Sequence, residues 1–88
     1  MKLERTNIPD LILIKPDVYR DDRGYFFESF RHDLLEEELG YEVNFIQDNE
    51  SKSTKGVLRG LHYQVSPFEQ SKLVRVIEGN VLDVVVDI

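Results

Sequence analysis

The chain has 88 residues, of which 41% are hydrophobic, and its formal net charge is −6. This length allows one domain with a modest core, and the apolar fraction is too high for a disordered chain. The acidic balance disfavours a nucleic-acid-coating module, and the lack of cysteine excludes disulfides, cysteine-based zinc sites and thiol catalysis. No apolar run approaches the roughly 20 residues of a membrane span, and residues 1–7 lack the apolar stretch of a signal peptide. We therefore expect a cytoplasmic protein that binds neither nucleic acid nor membrane.

The first half of the chain predicts two strands and one helix. Residues 11–14 are a continuous apolar run, which is typical of a short strand or an exchanged arm. Residues 21–24 read Asp-Asp-Arg-Gly and predict a tight turn in which the glycine takes a positive φ. An aromatic strand is predicted to follow over residues 25–30. Three leucines then recur at helical spacing over residues 34–39, and Gly40 is placed to end a short helix.

The second half of the chain predicts strands only. Its apolar runs cover residues 43–49, 57–64, 72–77 and 81–88. The Gly79-Asn80 pair is a two-residue hairpin signal between the last two runs. Short strands separated by turns at regular spacing favour an antiparallel sandwich or barrel over a parallel α/β sheet. We therefore expect one mainly β domain over residues 1–88 with a single short helix.

The run that contains Arg59 and His62 is unusual because polar side chains interrupt it. Burying either side chain is costly without a partner, so an edge strand that turns both to water is one interpretation. A binding site is the other, since Gln47 and Asn49 are two residues apart and share one face of an extended backbone. The alternation of a strand puts Arg59 and His62 on opposite faces. A pocket that used both would need a bulge or kink, which Gly60 permits.

The spacing of Gly56, His62, Gln64 and Glu69 resembles the metal motif of cupins. A metal-binding member would have a second histidine where Gln64 stands. The only other imidazole is His32, at the start of the predicted helix. Divalent transition metals usually require two or three imidazoles or carboxylates that converge. We therefore expect a cupin-shaped site without a metal.

Five blocks of this sequence, in order and at matching spacing, resemble the dTDP-4-dehydrorhamnose 3,5-epimerase family. They cover residues 21–28, 45–51, 56–64, 70–76 and 79–87. The resemblance implies a cupin-type antiparallel jelly roll, of which this chain is the N-terminal portion. It also implies a homodimer that exchanges N-terminal strands, and no cofactor. The implied substrate is dTDP-4-dehydro-6-deoxy-D-glucose, epimerised at C3 and C5 on the route to dTDP-L-rhamnose.

The residues also fit this chemistry by themselves. Removing a carbon-bound proton beside a ketone needs a base with a pKa near neutral and a positive group near the enolate oxygen. His62 is the only plausible imidazole base in the chain. The resemblance implies that His62 is the proton acceptor and that Lys72 stabilises the enolate. The competing interpretations are a hydrogen-bonded strand histidine and an exposed lysine at the start of a strand.

The resemblance also implies a set of substrate-binding residues. They are Arg23, Phe26, Glu28, Gln47, Asn49 and Arg59. The planar donor fork of an arginine suits a diphosphate, so an acidic chain can still hold an anion. Phe26 is expected as an apolar wall near the thymine, and Arg23, Phe26 and Glu28 as contributions to the neighbouring subunit's pocket. A solvent-exposed Arg23 and a core Phe26 are the competing interpretations.

This chain departs from the family in length. Family members are about twice as long and supply a tyrosine proton donor and a histidine-orienting aspartate from their second half. Neither can be assigned among the residues present here. A truncated, non-catalytic dTDP-sugar-binding or assembly fragment is therefore the alternative function. A related cupin with altered specificity, such as a 3-epimerase or a 3,4-ketoisomerase, is a weaker one.

Overall fold

Every strand and helix of the protein lies within its first 39 residues. The computed structural model describes all of residues 1–88. Its elements are β1 (Lys2–Arg5), β2 (Ile12–Lys15), β3 (Val18–Asp21), β4 (Gly24–Phe27) and α1 (His32–Leu39). The strands form two separate antiparallel hairpins, β1–β2 and β3–β4. The prediction of a mainly β protein with one short helix is therefore confirmed, and this content is compatible with part of a cupin-type fold.

The β1–β2 hairpin has one ionic face and one largely apolar face. Leu3 lies opposite Ile14 in the ladder, and both are half-buried. On the other face Glu4 is paired with Lys15 at 2.8 Å and with Lys2 at 3.3 Å. Hydrogen bonds from Lys15 and then Lys2 lower the pKa of the Glu4 carboxyl. Because side chains alternate along a strand, this sorting follows directly from the register of the ladder.

The β3–β4 hairpin has the predicted tight turn, which is two residues long. Asp21 lies opposite Gly24, so that only Asp22 and Arg23 connect the strands. The Asp21 carboxylate accepts a 2.8 Å hydrogen bond from the backbone N–H of Arg23, as in an Asx turn. Gly24 has φ of +136°, which side-chain-bearing residues rarely adopt. The predicted turn is confirmed, although β4 ends at Phe27 rather than at residue 30.

The helix ends where the sequence predicts. Gly40 has φ of +79°, and its N–H donates a 2.8 Å hydrogen bond to the carbonyl of Glu36. This left-handed cap is the usual role of a glycine after the last helical turn. Leu35 of α1 and Val43 beyond it are the two buried apolar residues of the chain. The carboxylate of Glu36, the residue after Leu35, accepts a hydrogen bond of 3.2 Å from the backbone N–H of Val43.

Residues 41–88 contain turns but no regular strand. The strands predicted over residues 43–49, 57–64, 72–77 and 81–88 are therefore wrong for this structure. Their β-branched composition is real, but a strand exists only when its backbone N–H and C=O groups pair with a neighbouring strand. No ladder forms in this part of the chain, and almost all of its side chains are exposed.

The chain forms two compact units. One comprises Met1–Val43 with Val84–Ile88, and the other comprises Asn44–Asp83. The first contains all of the strands, the helix and the two buried residues. A single domain over residues 1–88 stays a prediction. No helix is long and apolar enough to cross a lipid bilayer.

Candidate functional site

An open concavity of about 410 Å³ lies at the β3–β4 hairpin. It is lined by Tyr19, Arg20, Asp21, Arg23, Gly24, Tyr25 and Phe26. Two of the predicted substrate-binding residues, Arg23 and Phe26, therefore border one space. Phe26 is exposed, so the interpretation of it as a core residue does not hold in this structure.

Arg23 is held by the acid that begins the turn. Its Nη2 and Nε both donate to one oxygen of Asp21, Oδ2, at 2.6 and 3.2 Å. These hydrogen bonds lower the pKa of the Asp21 carboxyl. The guanidinium is otherwise in solvent, which leaves donors available for an anion.

The aromatic residues of the hairpin differ in their ring contacts. Tyr25 stacks on Phe27, with centroids 5.8 Å apart and 14° between the ring planes. The Arg20 guanidinium carbon lies 5.4 Å from the centroid of the same Tyr25 ring, within cation–π range. Tyr19 and Phe26 make no comparable ring contact.

Glu28 follows β4 and is engaged by a different arginine. Arg31 Nη1 donates a hydrogen bond of 3.3 Å to the Glu28 carboxylate. Its Nε and Nη2 donate hydrogen bonds of 2.8 and 2.5 Å to the Asp33 carboxylate. The two carboxylates, Asp33 first, raise the pKa of Arg31, and Arg31 lowers the pKa of Asp33. The carboxylate of Glu28 is therefore oriented by a neighbour on its own segment.

Three of the predicted substrate contacts lie in the unit Asn44–Asp83. Gln47 Nε2 donates a 3.2 Å hydrogen bond to Asn49 Oδ1, so the pair that strand spacing placed on one face is in direct contact. Arg59 Nε donates a hydrogen bond of 2.9 Å to Ser53 Oγ, and Arg59 Nη2 donates one of 3.3 Å to the backbone carbonyl of Lys52. These side chains are exposed, and their polar groups are directed by local hydrogen bonds.

His62 and Lys72, the predicted base and enolate-stabilising cation, are both exposed. Neither side chain makes a hydrogen bond or an ion pair within the chain. Gly60, two residues before His62, has φ of +134°, but neither a turn nor a strand is present around it. A bulge or kink that would bring Arg59 and His62 to one pocket stays a prediction.

The chain matches one protein-family model over residues 5–88, and that model describes dTDP-4-dehydrorhamnose 3,5-epimerase. The chain belongs to this family. All eight residues singled out from the sequence fall inside the matched range. Their individual roles in the family's chemistry remain predictions.

Relatives in this epimerase family match the chain along its whole length. The dTDP-4-dehydrorhamnose 3,5-epimerase of Shigella flexneri is 56% identical over 88 residues, that of Pseudomonas aeruginosa 54% and that of Escherichia coli K12 52%. Each alignment covers 100% of this chain but only 48–49% of the relative. The chain spans about half the length of the curated relatives it matches.

Sequence reasoning missed part of the concavity of this family member. Tyr19 and Arg20 were not singled out, because the short strand β3 that carries them was not predicted. The available signal was the turn at residues 21–24, since a two-residue turn requires a strand on each side. Continuing the β4 alternation across that turn would have placed Tyr19 beside Phe26.

The second imidazole of this epimerase-family chain has a structural partner. His32 Nε2 donates a hydrogen bond to Glu36 Oε1 one turn along α1. This bond, more than that from Val43, lowers the pKa of the Glu36 carboxyl. No group of three or more histidine and acidic side chains is arranged to hold a metal ion.

Proposed function

We propose that this chain carries the base and much of the substrate cradle of a cofactor-independent dTDP-4-dehydrorhamnose 3,5-epimerase. Its reaction is the isomerisation of dTDP-4-dehydro-6-deoxy-D-glucose at C3 and C5, in dTDP-L-rhamnose biosynthesis. The observation that carries the proposal is the family match over residues 5–88, within which every candidate residue lies.

The proposed chemistry is proton transfer at the two carbons that flank the C4 ketone. His62 removes the proton from carbon, and the electrons of that C–H bond move into an enolate whose charge rests on the C4 oxygen. The ammonium of Lys72 stabilises this oxyanion. Each inversion is completed when a separate acid donates a proton to the opposite face of the carbon and His62 releases the abstracted proton to solvent, so that no oxidant or reductant is consumed. The resemblance implies a tyrosine for that acid, from the half of family members that this chain does not span. The exposure of His62 and the absence of an internal partner leave its imidazole accessible to substrate.

The proposed binding mode divides the nucleotide sugar between cations and neutral polar groups. The guanidinium groups of Arg23 and Arg59 contact the diphosphate, since planar donor forks match its oxygens. Gln47, Asn49 and Glu28 bind hydroxyls and the base. The contacts of Arg23 with Asp21 and of Arg59 with Ser53 support this role, because they pre-orient donors that would otherwise be mobile.

The proposed assembly is a homodimer that exchanges N-terminal strands, with Arg23, Phe26 and Glu28 serving the partner's pocket. The exposure of Phe26 at the open concavity supports such sharing, because a large aromatic side chain in water gains from being covered. A cytoplasmic location is part of the same proposal.

The second candidate function is a dTDP-sugar-binding or assembly fragment without catalysis. It is favoured by the unpaired state of His62, since a catalytic histidine needs a partner that fixes its tautomer and orientation. Under this proposal the chain retains nucleotide contacts but transfers no proton.

Exchange of solvent deuterium into C3 and C5 of the substrate distinguishes the two functions. Incorporation by the unsubstituted chain, reduced about 100- to 10,000-fold in His62→Ala, supports the epimerase. His32→Ala is the matched control, because it removes the other imidazole, which bonds Glu36. Binding of dTDP without incorporation supports the fragment, and equal losses in the two variants would contradict the role of His62.

A further inference from the structure

Tyr19 and Phe26 are directly opposed residues of the β3–β4 ladder. Directly opposed residues in an antiparallel pair project to the same face of the sheet. Both residues line the open concavity of about 410 Å³. Tyr25 borders the same space, so three aromatic residues of the hairpin line it.

These two rings have free faces, unlike the others of the hairpin. Tyr25 is engaged by the Phe27 ring and by the Arg20 guanidinium. Tyr19 and Phe26 make no contact with another ring or with a cation, and Tyr19 remains 64% exposed. An exposed aromatic face gains free energy when a planar apolar group covers it. A nucleobase is such a group, and every base can stack on a side-chain ring.

The charge beside these rings selects an anionic nucleotide. Arg23 borders the same concavity, and its bond with Asp21 fixes the guanidinium at the turn next to the aromatic pair. A pyrimidine nucleoside diphosphate combines a planar base with a dianionic or trianionic tail. Its two parts match the rings and the guanidinium respectively.

We propose that Tyr19 is a base-binding residue that forms, together with Phe26, the stacking surface for the pyrimidine of the nucleotide. This assignment rests on the proposed function, in which Phe26 is the only aromatic side chain of the binding set. Tyr19 determines recognition of the base, while Arg23 holds the phosphates. Affinity for a phosphate ligand without a base does not depend on Tyr19.

Titration of the chain with dTDP and with inorganic pyrophosphate, followed by NMR and calorimetry, tests the proposal. Stacking moves the H6 and methyl resonances of thymine upfield in the complex. Tyr19→Ala is expected to weaken dTDP binding at least about 5-fold and to reduce these shifts, because one stacked ring is lost. Tyr19→Phe keeps the ring, and both the affinity and the shifts are expected to be retained.

The matched control is Tyr41→Ala, which removes an exposed tyrosine (49%) that does not line the concavity. Its dTDP affinity is expected to stay within about 2-fold, and pyrophosphate affinity is expected to be the same in all three variants. An unchanged dTDP affinity in Tyr19→Ala, or an equal loss in Tyr41→Ala, overturns the role of Tyr19 alone. Failure of the unsubstituted chain to bind dTDP overturns the proposed function and this assignment with it.

Discussion

Leu35→Ala is expected to be the most destabilising single truncation in this chain. Leu35 is 7% exposed, and only it and Val43 are buried, so the substitution removes a large part of the core. Each buried methylene contributes about 0.8 kcal/mol, and Leu→Ala removes three carbons, which gives about 2–3 kcal/mol before any cavity cost. Since small domains are stable by only about 5–15 kcal/mol, such a loss is easily measured.

Urea unfolding followed by circular dichroism measures this loss. The midpoint is expected to fall in Leu35→Ala with an unchanged dependence on urea concentration, as for a change in stability alone. Leu82→Ala is the matched control, because Leu82 is 91% exposed and the same chemical change is expected to cost less than about 0.5 kcal/mol. Equal midpoints for the two variants would refute the conclusion that Leu35 anchors the fold.

Three further outcomes are expected. The pKa of the Glu36 carboxyl is lowered from its ordinary 4.5, chiefly by the hydrogen bond from His32. The ionised carboxylate therefore stabilises the folded chain fully above pH 4.5, and this stabilisation is lost as the pH falls through the lowered pKa. Glu36→Gln should therefore flatten the acid limb of a stability–pH curve, whereas Glu37→Gln, at an exposed position, should not. Gly40→Ala should cost about 1 kcal/mol at the left-handed cap, with Gly40→Asn closer to the unsubstituted chain in thermal melts. Arg23→Lys keeps the charge but loses the donor fork, and calorimetry should show weaker dTDP binding, about 10-fold; unchanged affinity would contradict a two-pronged contact.

Features set within a few residues were predictable from the sequence. The turn at residues 21–24 and the helix end at Gly40 depend on local side-chain bonding and on glycine's access to positive φ. The hydrogen bond of Gln47 with Asn49 was not itself predicted, although their two-residue spacing placed both side chains on one face of an extended backbone.

Features that depend on distant partners were not predictable. Strand β1 was missed because Leu3 is its one apolar residue, and it exists through pairing with β2 and through the two lysines on Glu4. The predicted strands after residue 41 failed for the complementary reason, since β-branched residues favour a ladder that no other segment supplies. The positions of His62 and Lys72 follow from the sequence only through the family resemblance.

The exposed valines near the end of the sequence have a consequence for colloidal behaviour. Val84, Val85 and Val86 are exposed and are bordered by Asp83 and Asp87. If copies of this segment stacked in register, each aspartate would meet its own counterpart, and like charges directly opposite each other repel. The two acids therefore act as gatekeepers against fibrous association. The general repulsion between copies that the net charge of −6 provides fades as the pH approaches the isoelectric point near 4.8.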